Sequence, residues 1–359
     1  MNVGVVVHNY DRQEGTGGYT VELVERLATR HEVTLYAGGL QTPPPEGVTV
    51  VRVPALRVRA YVTVLTFPPA FAAVRRRHDM VHAQGWVTPD ADVVTAHVVL
   101  AAWRAAARAH GVRSALGERL LGGWVSRREG ALMRRARAVI APSARARRDI
   151  AQCYARSEGV HVVPHGCDRR LVPLPREEAR AQLGVPPGAF VAVYFGDARK
   201  GLLAAIGGLE FAPAVHLLAV SATPPDRYLR GAESLGVRDR LIWAPPGTGA
   251  AAAYGAADLL VHPTIYDSFG LTVAEALALG IPAIVSSEAG VTDLLEHGRS
   301  AWILREPSAA ATGEALRALS TDAAARTALA SAGRAVAARY TWDRTVRATE
   351  AVYEEVSGR

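Results

Sequence analysis

The chain carries one lysine, Lys200, against 40 arginines. It has only two cysteines, Cys153 and Cys167. That excludes a disulfide framework or a four-cysteine zinc site and favours a reducing compartment. No run approaches the roughly 18 consecutive apolar residues of a membrane span. The opening, Met1 to His8, lacks the basic region and small-residue cleavage site of a signal peptide and reads as a buried strand. A soluble, cytoplasmic protein is the expectation. Aromatic residues make up 6% of the chain and do not interleave with its basic stretches. With no nucleic-acid module signature either, nucleic acid is not expected as a partner. At 49% hydrophobic and 21% charged, the 359 residues can build ordinary cores, about two domains at roughly 150 residues each.

Charge is uneven along the chain. Residues 1–180 hold 26 Arg against 16 acids, and residues 181–359 hold 15 Arg and Lys against 18 acids. The excess is densest between Arg104 and Arg148, a helical-looking stretch that includes Arg134, Arg135 and Arg137. Such a stripe suits an anionic surface, an inner-face membrane included, although a solvated helix face accounts for it equally simply. Lysine is so nearly absent that the one retained, Lys200, invites a chemical reason, to be judged by its neighbours.

Short apolar runs at 3–8, 32–36, 80–83, 93–96, 138–141 and 160–163 read as strands, with a turn-like 9–18 and a helix over 20–29. After a turn-rich 165–175 the pattern restarts, with strands at 190–195, 216–220, 241–244, 259–262 and 283–286 and a helix from Leu202. Strands alternating with helices imply two doubly wound parallel sheets, whose ligands sit at the carboxyl ends of strands, in the cleft between the halves.

Three segments carry chemistry. In the first, from Tyr266 to Val285, a strand leads through Asp267-Ser-Phe269-Gly270 into a helix that starts at Leu271 and is closed by Gly280-Ile-Pro282. Unpaired amides at the helix start favour a phosphate, Gly270 permits close approach, and Glu275 lies within reach of ribose hydroxyls. A plain amphipathic helix is the simpler alternative. In the second, Gly196-Asp-Ala-Arg199-Lys200-Gly201, two cations follow a strand end and suit a diphosphate leaving group. In the third, Gly15-Thr-Gly17-Gly18-Tyr19 lies between the first strand and first helix, as a phosphate cradle or a flexible turn; it is not a G-x-G-x-x-G fingerprint.

In this order, together with His165-Gly-Cys167-Asp168 and Tyr340-Thr-Trp342-Asp343, these segments resemble the retaining GT-B glycosyltransferases of family 4, the glycosyl transferases group 1. The resemblance covers nearly the whole chain. The short Arg-Lys-Gly turn is loosely most similar to the lipopolysaccharide-core glucosyltransferase branch. The resemblance implies an α/β GT-B fold, with two Rossmann-like domains facing across a cleft. They are an acceptor-binding domain over 1–167 and a nucleotide-sugar-binding domain over 168–340, with a helix over 341–359 packing back on the first. It implies no cofactor beyond a nucleotide-diphosphate sugar donor, UDP-sugar being commonest, and an acceptor that offers a hydroxyl.

Residue by residue, the family's Glu-x7-Glu motif falls on Asp267 and Glu275, for the donor sugar and ribose respectively. The first acid is Asp here, one methylene shorter, which leaves the donor sugar open. Gly17, Gly18 and Gly196 would border the donor. Phe269, Gly270 and Leu271 would offer amides and Thr272 a hydroxyl. Arg199 and Lys200 would hold the diphosphate, which makes a divalent ion unnecessary. His97, after the strand at 93–96, best matches the family's N-terminal histidine, with His8 and His82 as alternatives. Asp90-Ala-Asp92 resembles a metal-binding Asp-x-Asp but sits in the wrong half. Domain closure would align donor and acceptor and exclude water. Other readings are a GT-B epimerase, a sugar-phosphate synthase, and a basic membrane or nucleic-acid binder.

Overall fold

A computed structural model describes all residues except 57, 59, 113–115, 168–170, 246 and 359, and of residues 60, 61, 116 and 118 it describes the backbone. Asp168, part of the expected interdomain turn, therefore lies outside the described residues. The chain forms two compact units, Met1–His165 with Trp342–Arg359, and Gly166–Thr341.

The N-terminal unit holds seven parallel strands: β1 (Asn2–Tyr10), β2 (Glu32–Leu40), β3 (Thr49–Arg52), β4 (Met80–Gln84), β5 (Val93–Thr95), β6 (Ala138–Ala141) and β7 (Val160–Val162). Their order is β3-β2-β1-β4-β5-β6-β7, the doubly wound pattern in which the chain turns outward from a central first strand. β1 contributes an apolar run, Val3 to Val7, buried on both faces, as a sheet covered by helices on both sides requires.

Trp342–Ser357, the last helix, belongs to this unit although 176 residues of the other unit precede it. Trp342 is fully buried beside Tyr19, with ring centroids 5.4 Å apart. Asp343 pairs with Arg26 at 2.7 Å, Glu350 with Arg30 at 2.8 Å, and the Tyr353 hydroxyl lies 2.6 Å from His82 Nδ1.

The C-terminal unit holds β8 (Phe190–Phe195), β9 (Val215–Val220), β10 (Leu241–Trp243), β11 (Leu259–His262), β12 (Ala283–Ser286) and β13 (Trp302–Leu304), all parallel, in the order β10-β9-β8-β11-β12-β13. Alternate residues of β8 enter separate cores. Val191 and Val193 pack with Phe269, Val273 and Leu277, while Ala192 and Tyr194 pack with Leu202, Ile206 and Leu316. Side chains that alternate sides along a strand and are apolar on both account for its unbroken hydrophobic pattern.

Where the sequence suggests a turn over 9–18, β1 runs on to Tyr10 and a helix already begins at Gly15 (Gly15–Leu27). Gly17 and Gly18 thus lie in the first helical turn. Helix propensity disfavours glycine there, but a Cβ at Gly17 would stand 2.5 Å from the Asp11 carbonyl oxygen, so only glycine fits. β3 and β13, short edge strands, are the two that the sequence pattern does not reveal.

Candidate active site

β8 and β11 are neighbours in their sheet, and the chain leaves both carboxyl ends in loops that are bonded to each other. After β8, Gly196 takes φ +139°, a conformation that favours glycine, and a 3-10 turn, Ala198–Lys200, follows. The Lys200 carbonyl accepts from the Ile265 amide at 2.6 Å. Gly201 packs so closely on the loop after β11 that an added Cβ would lie 2.1 Å from the Pro263 carbonyl oxygen. These backbone contacts place Lys200 beside Asp267.

Lys200 Nζ donates to Asp267 Oδ2 at 3.0 Å, and His262 Nε2 lies 3.5 Å from the same oxygen, too far for a good hydrogen bond. The Phe269 amide faces Oδ1 at 3.4 Å. Burial opposes ionisation of Asp267, but Lys200 and then His262 outweigh it and hold the carboxyl well below its usual range. Arg199 turns onto Asp197 instead, Nη2 to Oδ2 at 2.8 Å and Nε 3.1 Å from both oxygens. Burial works against the charge of Asp197 as well, and Arg199 prevails, lowering its pKa. Of the two adjacent cations, each therefore meets its own carboxylate.

Asp267 is fixed from the far side too. Its amide donates to Glu288 O at 3.0 Å, and the Gly290 amide donates to Asp267 O at 2.9 Å. The helix Leu271–Ala278 then starts from Gly270 at φ +101°, with no side-chain cap. The amides of Gly270, Leu271 and Thr272 have no partner among the described residues, so the positive end of the helix is presented without an anion. One turn on, Glu275 is buried and its Oε2 accepts from the Tyr254 hydroxyl at 3.0 Å; Tyr254 Oη also lies 3.0 Å from the Thr272 carbonyl oxygen. All nine residues expected in this half thus fall on two adjacent strand-to-helix junctions.

The expected N-terminal residues form a separate group. His97 follows β5, and its Nε2 lies 2.9 Å from Gln84 Oε1 at the end of β4. The His97 ring meets Tyr19, next to Gly18, with centroids 4.7 Å apart, and His165 at 5.7 Å. Desolvation pulls the His97 imidazole down to about 3, leaving it neutral near pH 7. Gln84 Nε2 and Trp86 Nε1 are buried donors with no partner among the described residues. Of the alternatives, His82 is a satisfied core residue, bonded to Tyr353 Oη and, at 2.7 Å, to Thr95 Oγ1. His8 packs edge-on against Phe67, and burial lowers it to about 4.

Asp90 and Asp92 do not converge. Asp90 pairs with Arg75 at 3.2 Å, while Asp92 accepts from the Val81 amide at 2.8 Å. Among the described residues no three His, Cys, Asp or Glu are placed to hold a metal, and no helix is long and apolar enough to cross a membrane. Sequence reasoning missed His262, Asp197, Gln84 and Tyr254. Asp197 and His262 lay in view, each beside a strand end, whereas Gln84 and Tyr254 carry no local signal.

The chain also matches known proteins along its length. The Glycosyltransferase Family 4 model matches residues 14–171, and the Glycosyl transferases group 1 model matches residues 176–336. The chain belongs to this glycosyltransferase family. It is 28% identical, over 97% of its length and 94% of the relative's, to a D-inositol 3-phosphate glycosyltransferase of Xylanimonas cellulosilytica. It is 31% identical to D-inositol 3-phosphate glycosyltransferase 1 of Catenulispora acidiphila, over 57% of this chain and 53% of that protein, so this match spans about half the relative's length.

Among solved structures it resembles a sucrose-phosphate synthase of Thermosynechococcus elongatus (TM-score 0.81, 20% identity, 99% of both chains). It also resembles WaaG, a glycosyltransferase involved in lipopolysaccharide biosynthesis (0.77, 20%, 99% of this chain and all of that one). A third is Anabaena HepE in complex with UDP-glucose (0.74, 18%, 100% of both). The fold is GT-B, with two Rossmann-like α/β domains.

Proposed function

We propose that the chain transfers a hexose-type sugar from a nucleotide-diphosphate sugar, UDP-sugar first, to an acceptor hydroxyl with retention of anomeric configuration. The observation that carries this reading is the Lys200–Asp267 pair, 3.0 Å apart beside the uncapped start of the Leu271–Ala278 helix. A cation and unpartnered amides suit a diphosphate, and a carboxylate within reach suits sugar hydroxyls. Lys200, Arg199 and the amides of Gly270, Leu271 and Thr272 neutralise the leaving diphosphate, Glu275 takes the ribose, and Asp267 the donor sugar. The acceptor oxygen bonds to the anomeric carbon as the bond from that carbon to the phosphate oxygen breaks. The diphosphate leaves with the electron pair, and the acceptor proton passes to a phosphate oxygen. Charge stabilisation of the leaving group is the principal catalytic term.

On the N-terminal unit, Gln84 Nε2 and Trp86 Nε1 are unsatisfied buried donors close in sequence to the end of β4. Such groups seek a partner, and a polyhydroxyl acceptor supplies one. The names of the relatives and the UDP-glucose held by Anabaena HepE are consistent with this reading.

The test is a thermal-shift panel of UDP, GDP, ADP and dTDP with their sugar conjugates, NAD being the control, followed by NMR of the product from the stabilising donor. A nucleoside diphosphate at 100 times its dissociation constant adds about 2.7 kcal/mol. Stabilisation by one nucleotide family and an unchanged anomeric configuration are expected. Silence across the panel overturns the donor reading, and inversion overturns retention.

A second property is favoured by one surface. Leu120 is 71% and Trp124 38% exposed on the helix Leu116–Arg135, which also exposes Arg119, Arg127 and Arg128. We propose peripheral contact with an anionic membrane there. Salt-sensitive sedimentation with phosphatidylglycerol vesicles is expected, and equal recovery with neutral vesicles contradicts it.

A further inference from the structure

Glu129 lies on the helix Leu116–Arg135 and is 2% exposed, yet its carboxylate serves a different helix. Its Oε2 accepts from the Leu100 amide at 2.8 Å and from the Tyr154 hydroxyl. Tyr154 Oη in turn accepts from the Ala101 amide at 3.2 Å. Leu100 and Ala101 open the helix Leu100–Ala109, whose N-cap is Val99, a residue with no polar side chain to cap it. The Ala101 amide, which a Ser, Thr or Asp at the cap could satisfy locally, and the Leu100 amide, which such a cap does not reach, are both satisfied here from two other helices. The arrangement is built closely, since a Cβ at Gly130 would lie 2.6 Å from Tyr154 Cδ1.

A buried carboxylate is a costly cap, and a serine at 99 would reach the Ala101 amide with less desolvation, though not that of Leu100. What the remote cap adds is location: it fixes where this helix begins relative to the helices Leu116–Arg135 and Ala144–Tyr154. The residue three positions upstream is His97. On its other side, the Ala96 amide donates to Ile140 O in β6 at 2.8 Å. The turn that carries His97 is therefore anchored at one end by the sheet and at the other by Glu129 and Tyr154. We infer that Glu129 and Tyr154 are positioning residues for His97, holding the 96–101 turn so that its imidazole keeps its place at Gln84 and Tyr19. Burial also lifts the Glu129 carboxyl to about 7, partly offset by Tyr154 and Leu100, as expected of a carboxylate retained for its geometry despite the desolvation it suffers. The consequence for turnover rests on His97 serving the proposed transfer; the anchoring itself does not.

The experiment uses the full chain with Tyr154→Phe, a mild variant that removes both hydroxyl bonds, and Glu129→Gln, which keeps the shape and removes the charge. Amide hydrogen exchange and the 15N resonances of the His97 ring report on anchoring without any substrate. Exchange at Leu100 and Ala101 is expected to quicken by about tenfold, with the His97 ring resonances shifted and those of His82 unmoved. UDP release from UDP-glucose is expected to fall in both variants with UDP affinity unchanged. Adding either change to His97→Ala is expected to cost nothing further. Unaltered exchange and ring resonances overturn the inference, as do losses that multiply in the double variants. If His97→Ala alone leaves turnover intact, the role of His97 in the proposed function fails, while exchange and ring resonances still decide the anchoring.

Discussion

Lys200 and Asp267, 67 residues apart in sequence, meet at 3.0 Å through the ends of two neighbouring strands. The chain's one lysine is held by the carboxylate that the proposed function assigns to the donor sugar. A donor phosphate that takes Lys200 must draw it from Asp267 or share it. Under the proposed function, the reach of this aspartate bears on phosphate binding as well as on sugar choice.

Asp267→Asn separates these two roles. Freed from its carboxylate, Lys200 is expected to bind UDP as tightly as before or up to about fivefold tighter. Turnover of the sugar conjugate is expected to fall by at least about tenfold as the sugar loses its orienting contact. Calorimetry and steady-state rates check this. A parallel loss of affinity and rate contradicts it.

Gly201→Ala tests the packing that places Lys200. The added Cβ meets the Pro263 carbonyl 2.1 Å away, and backbone on both sides leaves little room to relax. The expected cost is about 3 kcal/mol, read as a lower urea midpoint of the C-terminal unit. A change under about 1 kcal/mol contradicts the close approach.

Glu129 sets a pH dependence of stability. Its carboxyl titrates near 7 when folded, against an ordinary 4.5, because burial disfavours the charge. Between those values the unfolded chain has lost the proton that the folded chain keeps, so stability falls as pH rises through this window and levels off above it. The full difference is about 3 kcal/mol. Subtracting the stability curve of Glu129→Gln from that of the unaltered chain isolates the slope. A flat or rising difference contradicts it.

Trp342→Ala tests whether the last helix is part of the N-terminal unit. The indole is fully buried beside Tyr19 and His165, and its removal is expected to cost about 3–5 kcal/mol. Hydrogen exchange should quicken across β1, β4 and β5 and not across β8 and β11. Equal effects in both units contradict the assignment.

The strands of the sheet centres were legible in the sequence because both faces are buried: the runs at 138–141, 190–195, 259–262 and 283–286 are the observed strands. The Asp267 to Glu275 segment was legible because its glycine, helix start and acids lie close together in sequence. What was hidden depends on contacts distant in sequence. Nothing near position 97 reveals Gln84 as its partner. Nothing near Arg199 and Lys200 shows that the two cations take different carboxylates. The glycines at 17 and 18 suggested a loop because propensity disfavours them in a helix, whereas the crowding at Asp11 that selects Gly17 is invisible before folding.

The most direct test of the central claim is calorimetric titration of UDP into the unaltered chain and into a Lys200→Met, Asp267→Asn double variant. Removing both charges avoids stranding a buried carboxylate, so the fold is kept. UDP is expected to bind the unaltered chain and to bind the double variant at least about tenfold more weakly, at unchanged melting temperature. Equal affinity in the two proteins would show that the diphosphate does not bind at Lys200.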